Sequence, residues 1–155
     1  MNFYKLATLL LSFWVTTLLA EKVEITSDSM NAENMKKQVH FLGNVKIKQE
    51  ESWLHADKVI VYFNENNETK KYEAVGAVNF EFHKDKNAYK GHGDKVVYFP
   101  NNSKYILTGN AVIDDIINQR HVAGDKIDFD MITGNANVKS TSKKPVKFIF
   151  DMGSK

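Results

Sequence analysis

The pairs Asp57-Lys58, Asp94-Lys95 and Asp125-Lys126 each set a carboxylate beside a lysine ahead of an apolar run. Pairs of this kind could serve proton transfer. Five histidines (His40, His55, His83, His92 and His121) could add a titrating imidazole or hold a metal. The residues around them point elsewhere. The pairs belong to one recurring phrase, His55-Ala56-Asp57-Lys58-Val59-Ile60-Val61-Tyr62-Phe63, then Gly91-His92-Gly93-Asp94-Lys95-Val96-Val97-Tyr98-Phe99, and more loosely Ala123-Gly124-Asp125-Lys126-Ile127-Asp128-Phe129. A fainter copy is Thr26-Ser27-Asp28-Ser29-Met30. A catalytic carboxylate is needed once. One that returns with each copy has a structural task, such as bonding turn backbone groups. The histidines fall at strand starts and in turns without HExxH or CxxC spacing, so no metal is expected. No serine stands in a nucleophile-elbow context, and the chain has no cysteine. An enzyme is not expected, and no cofactor is implied.

Each phrase is followed by a second signal: Gly43-Asn44-Val45, Gly76-Ala77-Val78, Gly109-Asn110-Ala111-Val112 and Gly134-Asn135-Ala136. From Asp to Gly the steps are 15 residues (Asp28 to Gly43), 19 (Asp57 to Gly76), 15 (Asp94 to Gly109) and 9 (Asp125 to Gly134). Near-constant grammar with variable loops describes one repeated supersecondary unit.

The elements that must carry these phrases are strands. His40 to Gln49 places Phe41, Val45 and Ile47 on one parity and Lys46 and Lys48 on the other. Val78, Phe80 and Phe82 alternate with Asn79 and Glu81, and Ile127, Phe129 and Met131 with Asp128 and Asp130. Val146, Phe148 and Phe150 alternate with Lys147, Ile149 and Asp151. Turn signals stand at Asn64 to Glu68, His83 to Asn87 and Pro100-Asn101-Asn102. No stretch carries a helical stripe. Short strands joined by frequent turns predict an all-β sandwich, roll or barrel.

The phase of the phrase predicts a corner as well. Leu54 and Val122 stand three residues before their Asp, and Val59 and Ile127 two after it. That odd separation cannot turn both members to one face of a regular strand. A bulge or kink at Ala-Asp-Lys or Gly-Asp-Lys would restore the face, and Gly93 and Gly124 suit one. Otherwise the strand is buried in part on both faces.

The chain of 155 residues suits one domain, residues 21–155, behind a leader at residues 1–20. Lys5 gives the leader a positive start, and Leu6 to Ala20 is apolar but short for a membrane span of roughly 20 residues. It reads as a signal peptide cut after Ala20, though Leu18 is bulky for its place before the cut, so a retained anchor stays open. Removing it takes away one lysine and no acid, leaving 20 basic against 19 acidic residues. That balance offers no whole-molecule field for nucleic acid. Without cysteine, an exported chain must hold itself by core and hydrogen bonds.

The ordered set of motifs carries a resemblance. Gly43-Asn44-Val45 with Ala56-Asp57-Lys58-Val59, Gly91-His92-Gly93 with Asp94, and Leu107-Thr108-Gly109-Asn110-Ala111 with Gly124-Asp125-Lys126-Ile127 resemble the OstA/LptA family of periplasmic lipopolysaccharide-transport proteins. The likeness runs from Ile25 to Val138. It implies an open antiparallel β-jelly roll of two facing sheets whose apolar trough shields the acyl chains of lipid A. It also implies contact with an inner-membrane partner of the same fold and with the outer-membrane translocon. The terminal strands Val23–Thr26 and Val146–Phe150 would join like modules end to end, with Lys143-Lys144-Pro145 as an edge-blocking charge pair.

The residues expected to line the trough are Val45, Ile47, Val59, Val61, Phe63, Val78, Phe80, Phe82, Val96, Tyr98, Leu107, Ile127, Phe129 and Met131. Lys46, Lys48, Lys58 and Lys95 are expected at the rim, near the phosphorylated head. The short tail and separate leader favour a soluble periplasmic bridge. The alternatives are a membrane-anchored inner-membrane partner of the same fold, and a sealed structural adaptor without ligand.

Overall fold

The computed structural model describes residues 22–141 and 144–153. The expected leader at residues 1–20, and Lys143 of the edge-blocking pair, lie outside them. Ten strands follow in order: β1 (Glu24–Thr26), β2 (Ser29–Glu33), β3 (Gln38–Gln49), β4 (Ser52–Phe63), β5 (Thr69–Lys84), β6 (Asn87–Phe99), β7 (Lys104–Asp115), β8 (Arg120–Asp130), β9 (Ala136–Lys139) and β10 (Lys147–Phe150). They form one sheet in the order β1-β3-β4-β5-β6-β7-β8-β10, with β2 also on β3 and β9 also on β8. Every pairing is antiparallel. β1 and β2 share one strand position, broken at Ser27-Asp28, and β9 and β10 share another. The first and last positions do not pair, so the sheet stays open. The fold is an open antiparallel β-jelly roll.

A line of register shifts crosses the sheet midway along its strands. Between the aligned pairs Phe41↔Val59 and Val45↔Ala56, β3 takes one residue more than β4. The same surplus recurs at Val75/Val78 of β5 and Thr108/Ala111 of β7. The surplus sits at Gly43-Asn44 (φ 80° and 47°), Gly76-Ala77 (85° and 44°) and Gly109-Asn110 (79° and 47°). Glycine reaches this left-handed region freely and asparagine tolerates it.

The repeated Asp explains why glycine leads each pair. A Cβ on Gly109 would stand 2.8 Å from the Asp94 Cγ; Asp57 covers Gly76 and Asp28 covers Gly43 in the same way, each at 3.0 Å. Asn44 Nδ2 donates to Asp28 Oδ2 at 3.0 Å, and Asn110 Nδ2 to Asp94 Oδ2 at 3.4 Å. The kink expected at the Asp phrase is therefore present, but the extra residue lies across from it, on the Gly-Asn strand. Gly93 and Gly124 keep ordinary negative φ.

The final repeat also differs from expectation. Gly134 belongs to the turn after β8, where its N–H donates to Asp130 O at 2.8 Å. Asp125 instead accepts from Ser140 Oγ at 3.2 Å and Thr141 N at 2.6 Å. Ser140 and Thr141 follow Asp125 by 15 and 16 residues, the spacing of Gly43 and Asn44 from Asp28. The fourth lock is thus built from Ser-Thr.

The line divides the strands into two facing layers. One layer ends in the hairpins at 49–52, 84–87 and 115–120; the other ends at 33–38, 63–69, 99–104 and 130–136. The Asp strands change parity at the line, so Leu54 and Ala56 before it and Val59 and Val61 after it all join one core. Its largest fully buried side chains are Val45, Val59, Val78, Val96, Leu107, Ile127 and Phe80. Side chains of this size contribute about 1.5–3 kcal/mol each when fully buried.

Candidate functional site

The space between the layers is filled at its centre and open at both ends. The centre is aromatic. Phe80 and Phe82 of β5 stack at 4.7 Å, Phe82 meets Tyr105 from the opposite layer at 4.5 Å, and Tyr105 lies flat on Tyr98 at 4.4 Å. Tyr72 stacks on Tyr98 at 5.9 Å. Gly91 makes room for this wall, since a Cβ there would stand 2.5 Å from Phe80 Cζ. Burial pushes the Tyr105 phenol far above its ordinary pKa, and the neighbouring Tyr98, hydrogen-bonded to it, pushes the same way. At the edge, Lys84 Nζ donates across the layers to Ser103 Oγ at 3.4 Å.

A cavity of 590 Å³ opens on the N-terminal side of this wall, lined by Val23, Ile47, Trp53, Leu54, Tyr72, Phe82, Tyr98, Tyr105 and Met131. Glu50, His83, Lys84 and Asp85 stand around it. A second cavity of 310 Å³ opens on the C-terminal side, lined by Ile113, Val122, Ile127, Phe129, Val138, Val146 and Phe148. Tyr89, Asp115 and Arg120 complete it. Walls of hydrocarbon and aromatic side chains with a few charges can take up apolar chains by burial alone.

The polar groups of the second cavity form a chain of contacts. Arg120 Nη2 donates to Asp115 Oδ2 at 2.6 Å, while Asn118 donates its backbone N–H to Oδ1 at 3.1 Å and its Nδ2 to Oδ2 at 2.9 Å. Burial works to raise the Asp115 pKa, but the bonds from Asn118 and Arg120 outweigh it and hold the carboxyl below its ordinary value. Tyr89 is pushed up by burial and by the Asp115 charge, with Arg120 partly opposing.

All the residues expected to line the trough face the interior. Val45, Val59, Val61, Val78, Phe80, Val96, Leu107, Ile127, Phe129 and Met131 are in the core cluster; Ile47, Phe63, Phe82 and Tyr98 pack against it. Of these, Ile47, Phe82, Tyr98 and Met131 border the first cavity, and Ile127 and Phe129 the second. The others are covered by neighbouring side chains, Phe63 only in part. Trp53, Tyr72, Tyr105, Val122 and Phe148 were not anticipated as lining, although Phe148 stands on the alternating parity of the last strand. The expected rim lysines are elsewhere. Lys46 and Lys48 alternate with the inward Val45 and Ile47, and Lys95 pairs with Glu73 at 3.3 Å. Alternation sends them to the outer face, and the cations beside the cavities are Lys84 and Arg120.

The histidines make local pairs, His83 with Glu81 at 2.7 Å and His121 with Asp114 at 2.5 Å. Among the described residues no group of three or more His, Asp or Glu side chains is placed to hold a metal.

An open roll with a cavity at each end of its interior and end strands paired on one side only defines a class of protein built around that interior. A family model described as LptA/(LptD N-terminal domain) LPS transport protein matches residues 24–135. The chain belongs to this lipopolysaccharide-transport family. Its fold is similar to the crystal structure of LptH, the LptA-homologous periplasmic component of the conserved lipopolysaccharide transport device from Pseudomonas aeruginosa, with a TM-score of 0.73 at 19% sequence identity. The match covers 84% of this chain and 96% of that one. No curated protein sequence matches the chain.

Proposed function

We propose that this chain is a periplasmic carrier of lipopolysaccharide that holds lipid A acyl chains between its two layers and passes them along modules joined end to end. The observation that carries this reading is the pair of cavities opening from the apolar core, the N-terminal one with a polar mouth and the C-terminal one walled mainly by hydrocarbon. Each CH₂ taken from water into such a wall contributes about 0.8 kcal/mol, so acyl chains need no dedicated chemistry to be held. A sealed adaptor would have no use for the unfilled space.

The ends support assembly. β1 and β10 are the unpaired edges of one layer. β1 runs from the open rim towards the line of bends, and β10 runs from the bends towards the rim. A β10 edge meeting a β1 edge of the next module would therefore pair antiparallel, the sense of every other pair in the sheet. The β10 edge is also apolar: Val146, Phe148, Ile149 and Phe150 are all exposed. Unpaired apolar edges recruit strands. The components on either side would be the inner-membrane and outer-membrane proteins of the same transport path.

The test places a photoreactive residue at Phe82 or Phe129, with Lys48 on the outer face as control. Crosslinks to lipopolysaccharide at the two inner positions and none at Lys48 are expected. Silence at both inner positions in folded protein would leave the adaptor reading in place. An exported protein whose N-terminus is Glu21 would exclude the anchored alternative.

A further inference from the structure

We propose that the C-terminal cavity is an acyl-chain site separate from the N-terminal one, in which Arg120 takes the anionic head of an amphiphile. This rests on the trough reading and divides it. The aromatic wall of Phe80, Phe82, Tyr98 and Tyr105 stands between the cavities, and no residue lines both. A tail entering one end does not reach the other without moving that wall.

The two mouths differ in charge. At the N-terminal cavity the lysine, Lys84, is tied to Ser103, and Glu50 and Asp85 stand beside it. At the C-terminal cavity stands Arg120, the one arginine of the chain. Its Nη2 is tethered by Asp115, which is 7% exposed and itself held by Asn118, while the arginine side chain remains 47% exposed. A guanidinium carries five N–H donors in a planar fork. Fixing one edge leaves the other donors at the mouth in a set orientation, matched to the oxygens of a phosphate or carboxylate. Arg120 is cross-strand from Phe150, and Val122 from Phe148, so an apolar path runs inward directly from the guanidinium. Because Asp115 balances the charge of Arg120, recognition depends on the directed donors more than on net attraction.

Methyl NMR on the folded chain tests this, with Val122, Ile127 and Val138 reporting the C-terminal cavity and Ile47 and Leu54 the N-terminal one. The probes are dodecyl phosphate, dodecyl maltoside and inorganic phosphate, each below any micelle concentration. Dodecyl phosphate is expected to saturate the C-terminal set at about tenfold lower concentration than the N-terminal set, or 1.4 kcal/mol. Arg120→Gln should remove that advantage and leave maltoside binding unchanged. The double variant Asp115→Asn/Arg120→Gln, which strands no buried carboxylate, should do the same and serves if the single variant fails to fold. Saturation of both sets together overturns the separation. Equal binding of phosphate and maltoside at the C-terminal set, or insensitivity to both variants, overturns the role of Arg120. Inorganic phosphate moving the C-terminal set as strongly as dodecyl phosphate would make it an anion site without a tail. If neither amphiphile moves either set, the trough reading fails with it.

Discussion

The lock between Asp94 and Gly109 predicts a non-additive pair of substitutions. Gly109 has φ +79°, and an added methyl would overlap the Asp94 carboxylate, with Cγ at 2.8 Å. Gly109→Ala therefore carries two costs. Holding a non-glycine residue in the left-handed region costs roughly 1–2 kcal/mol, and forcing an atom into a filled space costs about 1–3 kcal/mol more. The sum is about 3 kcal/mol, or a fall in Tm of about 6–12 °C at 2–4 °C per kcal/mol for a chain near this size. Asp94→Ala removes the carboxylate but keeps the Asp94 Cβ, 2.9 Å from the added methyl; it loses only the 3.4 Å bond from Asn110 on an exposed face, about 0.5 kcal/mol. In the Asp94→Ala background, Gly109→Ala should then cost the backbone part, about 1–2 kcal/mol, plus the contact with the remaining Cβ, and so less than in the wild type. Urea unfolding of the four proteins with a common m-value gives the coupling directly. Equal costs of Gly109→Ala in both backgrounds would refute the claim that the repeated Asp is there to fill the space over a glycine.

Three further outcomes follow from the same geometry. Gly91→Ala should lower stability by about 1–3 kcal/mol, because the Val112 carbonyl oxygen and the Phe80 ring both occupy the space of its missing side chain; the Phe80→Ala/Gly91→Ala double variant relieves the ring contact alone, so it should lose less than the sum while keeping the cost against the Val112 carbonyl, read by thermal unfolding. The folded-state pKa of Asp115 is depressed, so its stabilisation is complete above the unfolded value of about 3.9 and is lost as pH falls through the folded value. Asp115→Asn should accordingly be about 1–3 kcal/mol less stable than wild type at pH 7, with the gap closing at lower pH; a gap that persists unchanged at pH 2 contradicts the assignment. If modules join through β10 and β1, Thr26→Cys/Lys147→Cys in this cysteine-free chain should give a ladder of disulfide-linked multimers on oxidation, and a monomer band alone would argue against that junction.

Periodicity carried much of the fold. The parity of Phe41, Val45 and Ile47 against Lys46 and Lys48 marks which face of β3 is inside, and the odd step from Leu54 to Val59 marks where the sheet bends. Neither says which strand takes the extra residue, because the surplus is defined only by what lies across the ladder. The Asp phrase made the bend visible, while the positive φ angles belong to the Gly-Asn signal of the next strand. The last lock was hidden for a chemical reason. Ser140 and Thr141 satisfy Asp125 through hydroxyl and backbone donors, so their letters share nothing with Gly-Asn although their spacing is the same. Gly134 matches the letters of the signal but closes an ordinary turn.

The candidate site was legible only in part because emptiness is not a property of a strand. Alternation assigns Val78 and Phe82 to the same inward face, yet Val78 is sealed and Phe82 borders open space. The difference comes from what stands on the opposing layer. Gly91 lets Phe80 settle across the middle, Tyr105 meets it there with Tyr98 stacked on its other side, and the space left at each end is what these rings do not reach. The misplaced rim lysines have the same origin, since an outward residue in mid-strand is on the back of the roll and only a residue near a hairpin reaches its mouth. Arg120 begins β8 just after such a hairpin, and Lys84 ends β5 just before another. In a folded-over sheet, inward parity selects the hydrocarbon wall and nearness to a hairpin selects the polar groups that meet a head. Both conditions together mark Lys84 and Arg120, which neither composition nor alternation alone would mark.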